Sequence, residues 1–300
     1  MEQQTEPGWD LYRAFLAVLR EGSLSAAGRA LGLAQPTVGR HVEALEQALG
    51  LALFTRSGHG LAPTEAALAL RPHAETLAAS AAALLRAASG HGSGVHGTVR
   101  VTASEIIGAE VLPSILARLH GANPELAIEL SLSNRTEDLL RRDADIAVRM
   151  VRPVQEALLT RHLGDAEIGL YAHRSYLDRR GAPGGVDELP AHALIGFDAE
   201  TAFIRRLNVQ SVVLHRRMFA LRTDSDLAQL AAVRAGFGIG VCQAGLARRD
   251  PSLVRLLPEA FSVKLEVWLT MHEDLRASPR CRVAYDTLAA GLSDYLGKPV

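Results

Sequence analysis

The sequence contains 300 residues, 48% of them hydrophobic, and its formal net charge at pH 7 is −1. This length is enough for a sizeable core and predicts two or three domains. Two cysteines, Cys242 and Cys281, are too few for a disulfide scaffold, and the histidines show no pattern typical of a metal site, so no metal or cofactor is expected.

The sequence also argues against a membrane protein, because no apolar run reaches about 18 residues. The first ten residues, MEQQTEPGWD, carry neither region of a secretory signal, which predicts a cytoplasmic protein. Residues 1–65 hold five Arg against seven acidic residues, so nucleic-acid binding here would depend on where the arginines lie.

Three short helices are predicted near the N-terminus. The first carries an apolar face, made by Leu11, Phe15, Leu16 and Leu19, and ends at Gly22. The second follows residues 23–25 and is predicted to bury Ala27, Ala30 and Leu31. After a turn at residues 32–34 the third opens with Gln35 and Pro36, where proline costs no hydrogen bond, and is predicted to bury Val38, Val42, Leu45 and Leu49.

The third predicted helix keeps a polar face. Arg40 projects away from the buried side and Thr37 flanks it, while Gln35 lies at the leading end and His41 nearer the buried edge. Two short helices joined this tightly, the second with polar side chains outward, are typical of a helix-turn-helix that reads base edges in a major groove. An ordinary three-helix packing unit with a solvated face is the alternative.

A hairpin and a long helix follow. LALFTRSGHGLAPT, residues 51–64, predicts a β-hairpin wing with Arg56 and His59 near its tip. The next helix extends to about Ser89, is expected to bend at Pro72, and repeats leucine at seven-residue spacing: Leu70, Leu77 and Leu84. Such a seam favours pairing with a second copy, although it could instead pack within its own chain.

From Val99 onward predicted strands alternate with helices, which indicates an open α/β domain. One helix is expected over Glu110 to Leu119 and another near Thr136 to Arg142. A second α/β unit begins at residue 167, and the last strand and helix return to the first unit. The chain therefore passes twice between two lobes. Such an arrangement leaves a cleft between the ends of their strands, which is a usual place for a small ligand.

With these pieces the sequence resembles a LysR-type transcriptional regulator. The resemblance covers residues 9–296 and rests on GSLSAAGRALGLAQPTVGRHVEALEQALGLALFTR, SGHGLAPTEA, GTVRVTAS, LLRRDADIAVRM and RAGFGIGVCQ. It implies a winged helix-turn-helix, a linker helix and a two-lobed α/β domain resembling periplasmic binding proteins. Ala34 and Gly39 depart from the family, which commonly has Ser at both positions.

The resemblance also implies site residues. DNA-binding positions are Gln35, Pro36, Thr37, Arg40, His41, Arg56 and His59. Effector-binding positions in the cleft are Ser104, Asn134, Arg135, Arg149, Asp224 and Ser225. An arginine can clamp a carboxylate, but Glu105 and Asp224 weaken a simple anion pocket, so the ligand could equally carry an amine, a hydroxyl or an aromatic amide. Each cleft residue could instead be an ordinary loop cap.

The predicted domains are residues 1–63 for DNA binding, 64–89 for dimerisation, 90–97 as linker and 98–300 for the effector, with lobe I at 98–165 and 265–300 and lobe II at 166–264. The expected function is effector-controlled transcription regulation by a homodimer or homotetramer, with double-stranded DNA, a small molecule and RNA polymerase as partners. The alternatives are a ligand-independent DNA-binding or nucleoid protein and an enzyme that uses the two-lobed domain. Neither a nucleophile elbow nor a phosphate loop supports the enzyme.

Overall fold

The computed structural model describes residues 6–57, 60–89, 94–134, 144–153, 158–199 and 214–297. Among these the chain divides into two compact units, one ending at Ala87 and the other beginning at Ala88. His59, Arg135 and the helix expected near Thr136 to Arg142 lie outside the described residues.

The first unit begins with three helices, α1 (Trp9–Glu21), α2 (Leu24–Leu31) and α3 (Gln35–Leu49). Phe15, Val38 and Leu45 are almost completely buried between them. Each helix ends at a glycine with a left-handed backbone, and Gly32, with φ of 67°, makes the turn between α2 and α3 that a side chain would strain. The predicted helix-turn-helix is therefore confirmed in its element order.

One buried position in α2 was predicted wrongly. Ala30 is exposed, whereas Gly28 is buried together with Ala27. A Cβ atom on Gly28 would lie 2.8 Å from the Leu33 carbonyl oxygen, so this face of α2 packs directly on the turn that follows it. The pattern of apolar side chains missed Gly28 because glycine has no side chain to count. Leu31 and Leu49, also predicted as buried, are only partly so.

A hairpin and a long helix complete this unit. Strands β1 (Phe54–Ser57) and β2 (Gly60–Pro63) pair antiparallel, and the Leu61 amide donates to the Gly22 carbonyl at 3.0 Å, which ties the hairpin to the end of α1. Helix α4 (Glu65–Ser89) is capped at its N-terminus by Thr64, whose hydroxyl accepts from the Ala67 amide at 3.2 Å.

The second unit is an α/β domain. Its strands are β3 (Gly97–Ala103), β4 (Leu126–Leu132), β5 (Ile146–Arg149), β6 (Leu158–His173), β7 (Leu194–Gly196), β8 (Phe219–Arg222), β9 (Ile239–Gln243), β10 (Leu253–Leu256) and β11 (Ser262–His272). Its α-helices are α5 (Leu112–Ala122), α6 (Arg174–Arg180), α7 (Asp226–Arg234), α8 (Ala244–Ala247) and α9 (Pro279–Tyr295).

Within the described residues these strands form one sheet in the order β4-β3-β5-β11-β6-β9-β7-β8, with β10 also paired to β6. Strands β6 and β11 pair along the whole of β11, with one register shift at Val267/Trp268. They are shared by two halves: β3, β4 and β5 run parallel in one, and β7 runs parallel to β8 and β9 in the other. The predicted two-lobed α/β class is confirmed.

The helix after β3 begins earlier than predicted. A single π-helical stretch (Ile107–Val111) precedes α5, and the Gly108 amide already donates to the Ser104 carbonyl at 2.8 Å. Ile106 and Ile107 are β-branched and come soon after a strand, so their local preference for a helix is low. Ile107 instead joins the core with Val101, Val148 and Leu288, so burial outweighs local preference. π-helical turns are often found at functional sites.

Candidate DNA-binding surface and ligand cleft

The exposed face of α3 carries the predicted DNA-binding residues. Gln35, Pro36 and Arg40 are exposed, and Thr37 is partly so. Val38, Val42 and Leu45 are buried on the other side, which fixes the direction in which Arg40 projects. His41 is half-buried, and its Nδ1 atom has no hydrogen-bond partner among the described residues.

Helix α3 starts without a side-chain cap. Ala34 supplies none, and the amides of Thr37 and Val38 donate to its carbonyl at 2.9 and 3.2 Å. Ser23, in contrast, caps α2 by accepting from the Ala26 amide at 3.2 Å. A Cβ atom on Gly39 would meet only the Leu24 side chain, at 3.6 Å, which is an ordinary van der Waals distance. The fold therefore has room for a side chain at this position, where the family commonly has Ser.

The hairpin presents Arg56 as an exposed side chain on β1, opposite Leu61 in register. Because β2 is tied to the end of α1, Arg56 has a defined place beside the helix-turn-helix. His59, predicted near the tip of the hairpin, is outside the described residues.

The leucine seam of α4 has two parts. Leu70 packs against the core of its own unit with Leu45 and Leu53. Leu77 and Leu84 are 47% and 72% exposed. Leu85, which the seven-residue spacing did not select, is 74% exposed. The outer half of the helix therefore shows an apolar surface within the described chain, whereas Leu70 stabilises the fold.

Ser104 follows β3, and Arg149 is the last residue of the neighbouring parallel strand β5. Arg149 is only 6% exposed, and its guanidinium donates to the Val148 carbonyl at 3.1 Å and to the Thr102 hydroxyl at 3.0 Å. The Ser104 hydroxyl is buried and has no hydrogen-bond partner among the described residues. The structure thus brings both residues to the same edge of the sheet, with the Arg149 side chain held against β3.

Asn134 joins the two lobes. Its Oδ1 accepts from the Glu105 amide at 3.0 Å, and its Nδ2 donates to Oδ2 of Asp226 at 2.8 Å. Burial, together with the nearby charge of Glu105, raises the pKa of the Asp226 carboxyl to about 6. Sequence reasoning named Asp224 and Ser225 but missed Asp226. Asp226 lies in the first turn of a helix, α7. Acidic residues are common there because they interact favourably with the helix dipole, so this position alone did not indicate a functional role.

Asp224 and Ser225 serve local structure. The Asp224 carboxylate accepts from the amides of Asp198 and Ala199, each at 2.9 Å. The Ser225 hydroxyl caps α7 by accepting from the Ala228 amide at 3.3 Å. Both lie next to Asp226, but their side-chain acceptors are already used within lobe II. Arg135, the remaining predicted effector residue, lies outside the described part of the chain.

Helix α7 also contacts lobe I at its other end. Arg234 donates two hydrogen bonds to Glu110, at 2.8 and 2.7 Å, and these bonds hold the pKa of Glu110 below its ordinary value. Arg249 donates to the Glu110 carbonyl at 3.3 Å. Asp226 and Arg234 mark the two ends of α7, so this helix is bound to lobe I at both ends, through Asn134 after β4 and through Glu110 after β3.

Cys242 and Cys281 are buried, and burial raises the pKa of the Cys242 thiol to about 11. Among the described residues no group of three metal-ligating side chains is found, and none of their helices is long and apolar enough to cross a bilayer.

Two family models match this chain. "Bacterial regulatory helix-turn-helix protein, lysR family" matches residues 9–68, and "LysR substrate binding domain" matches residues 92–293. The chain belongs to the LysR family of transcriptional regulators. This LysR-type regulator therefore combines a helix-turn-helix DNA-binding domain with an effector-binding domain, as the sequence predicted.

Curated relatives and solved structures agree with the family. An HTH-type transcriptional regulator of Xanthomonas campestris is 32% identical over 72% of this chain and 60% of its own length. The probable regulator LtrA of Klebsiella pneumoniae is 25% identical over 92% of both chains. The full-length virulence activator AphB of Vibrio cholerae is 20% identical, with a TM-score of 0.63 over 98% of this chain and 100% of its own, which shows a shared fold.

Proposed function

We propose that this LysR-type regulator binds operator DNA with α3 in the major groove and the hairpin at the adjacent backbone. Gln35, Pro36, Thr37, Arg40 and His41 would contact DNA from α3, and Arg56 and His59 from the hairpin. The observation that carries this proposal is that α3 exposes a polar face while its opposite, apolar face is buried in the core. A structural neighbour, CbnR, is described in a complex with its target DNA; it has a TM-score of 0.63 at 19% identity, over 95% of this chain and 99% of its own.

The effector site would lie between the lobes, at Ser104, Asn134, Arg135, Arg149, Asp224 and Ser225, with Glu105 and Asp226 added. Ser104 offers a buried hydroxyl without a described partner, and Asn134 already bonds to both lobes. A ligand that competes for Asn134 breaks its bond to Asp226 and changes how α7 meets lobe I. Differential binding of this kind is what allows a ligand to shift a conformational equilibrium.

The active protein is a dimer or tetramer in this proposal, formed in part through Leu77 and Leu84 on the long helix. It works in the cytoplasm without catalysing a reaction, and it contacts RNA polymerase at the promoter. The predicted domain limits, 1–63, 64–89, 90–97 and 98–300, are part of the same proposal.

Selection from random-sequence DNA tests the proposed function. The purified full chain is incubated with a pool of random duplexes, and the bound fraction is sequenced. We expect enrichment of a motif with two related half-sites about one helical turn apart, because each protomer presents one α3. Equal recovery of all sequences would instead support a nucleoid protein and contradict sequence-specific regulation.

A further inference from the structure

Ser25 on α2 contacts Gln35, the first residue of α3. The Ser25 hydroxyl donates to Oε1 of Gln35 at 2.8 Å, and both residues are exposed on the same surface. This hydrogen bond links α2 to the leading end of the recognition helix, where side chains reach base edges.

The backbone of Gln35 is also held by α2. A Cβ atom on Gly28 would lie 3.5 Å from the Gln35 amide nitrogen and 3.6 Å from its Cα atom. Ser25 and Gly28 are three positions apart and share one face of α2. Gly28 therefore allows the close approach of the two helices, and Ser25 sets the orientation of the Gln35 side-chain amide.

The orientation of the amide decides which hydrogen bonds Gln35 can offer. A glutamine amide has one acceptor oxygen and one NH₂ group with two donors. Oε1 is turned to Ser25, while Nε2 donates to no described residue. Reading adenine in the major groove needs both ends of the amide, since Oε1 must accept from N6 while Nε2 donates to N7. Although Oε1 has a second lone pair, the bond to Ser25 holds it toward α2, so Nε2 is the end of the amide left to face a base, and a donor there fits O6 and N7 of guanine or O4 of thymine.

We infer that Ser25 is a positioning residue for DNA readout, which orients Gln35 so that the regulator selects a keto base, guanine or thymine, where Gln35 meets the operator. The inference rests on the proposed role of α3. Ser25 itself need not touch DNA, and its effect passes through the Gln35 amide.

Substitution of Ser25 is well suited to a test. Alanine removes the hydroxyl and is the better helix former, so Ser25→Ala is expected to leave α2 folded. Ser25→Thr keeps the hydroxyl and serves as the matched control. Thermal unfolding of the full chain, monitored by circular dichroism, checks that each variant is folded.

The experiment compares base preference among variants. The motif selected by the wild type from random duplexes supplies the probe, and Gln35→Ala identifies the position whose preference depends on Gln35. Four duplexes differing at that base pair are then titrated by fluorescence anisotropy. We expect the wild type and Ser25→Thr to favour keto over amino bases, and Ser25→Ala to lose this preference, with binding to the adenine duplex rising about fivefold relative to guanine.

The double variant separates positioning from an independent contact. In the Gln35→Ala background, Ser25→Ala should change no base preference. An unchanged preference in Ser25→Ala, or an equal change in both backgrounds, would overturn the inference while leaving sequence-specific binding intact. A wild-type chain that selects no motif would overturn the proposed function as well, so the two failures are distinguishable.

Discussion

Asn134 donates a hydrogen bond to Asp226 at 2.8 Å, across 92 positions of sequence and between the two lobes of the α/β domain. Asn134 also accepts from the backbone of Glu105, two residues before the π-helical segment. The partly buried Asp226 carboxylate therefore lies within range of the charge of Glu105, and burial and that charge together raise its pKa. This arrangement predicts a pH dependence that Asp226 controls.

Asp226→Asn should stabilise the protein more at pH 7 than at pH 5. The folded-state pKa of Asp226 is raised to about 6 from an ordinary value of 3.8, so the folded chain holds a proton that the unfolded chain releases. This group's contribution to stability therefore falls as pH rises from about 4 to 6. Asparagine carries no charge at either pH and can still accept from Asn134.

Melting temperatures of both proteins across pH 4.5–7.5, a window of roughly 1.5 units on either side of the raised pKa, measure this effect. The difference between variant and wild type should grow as pH rises through 6 and then level off. Asp178→Asn, at an exposed position of α6, is the matched control and should show no such trend. A constant difference for Asp226→Asn would contradict the assignment.

Arg40→Ala should weaken operator binding by about 1–3 kcal/mol if the guanidinium reads a base. If it contacts phosphate instead, the variant should lower the slope of affinity against salt concentration. Gel-shift titrations at several salt concentrations distinguish the two. Unchanged affinity together with an unchanged salt slope would remove Arg40 from the DNA surface.

Replacing both Leu77 and Leu84 by Asp should dissociate the dimer, because two charges would enter an apolar helix pair. Operator binding should fall with it, since two half-sites must be engaged together. Arg71→Asp adds an acid to an exposed position of the same helix, turned about a third of a turn from Leu77, and should leave the dimer intact. Sedimentation of the double variant as a dimer would show that α4 pairs elsewhere.

The two glycines of the helix-turn-helix should respond oppositely to alanine. Gly39→Ala adds a Cβ atom into ordinary contact with Leu24 and should raise stability by about 0.5–1 kcal/mol. Gly28→Ala places the same atom 2.8 Å from the Leu33 carbonyl and should lower stability. Thermal unfolding followed by circular dichroism compares them, and destabilisation by Gly39→Ala would show that α3 requires a glycine there.

Local patterns made the helix-turn-helix predictable from sequence. Apolar spacing located Phe15, Val38 and Leu45, and Gly22 and Gly32 marked helix ends, because these signals act within a few residues. The Asn134–Asp226 bond was not predictable, since it depends on how two distant segments meet. The early start of the helix after β3 was missed for a similar reason: burial of Ile107 in the core is a tertiary effect.

The central claim is that a ligand in the cleft controls DNA binding, and operator affinity with and without that ligand tests it most directly. A thermal-shift screen of small carboxylates, amines and aromatic compounds supplies the ligand, because one at 100 times its Kd should add about 2.7 kcal/mol of stability. We expect that ligand to change operator affinity of the wild type severalfold. Ser104→Ala, which loses about 1 kcal/mol of ligand affinity, should need more ligand for the same change while keeping its ligand-free operator affinity. A ligand that stabilises the protein but leaves operator affinity unchanged at saturation would contradict the account.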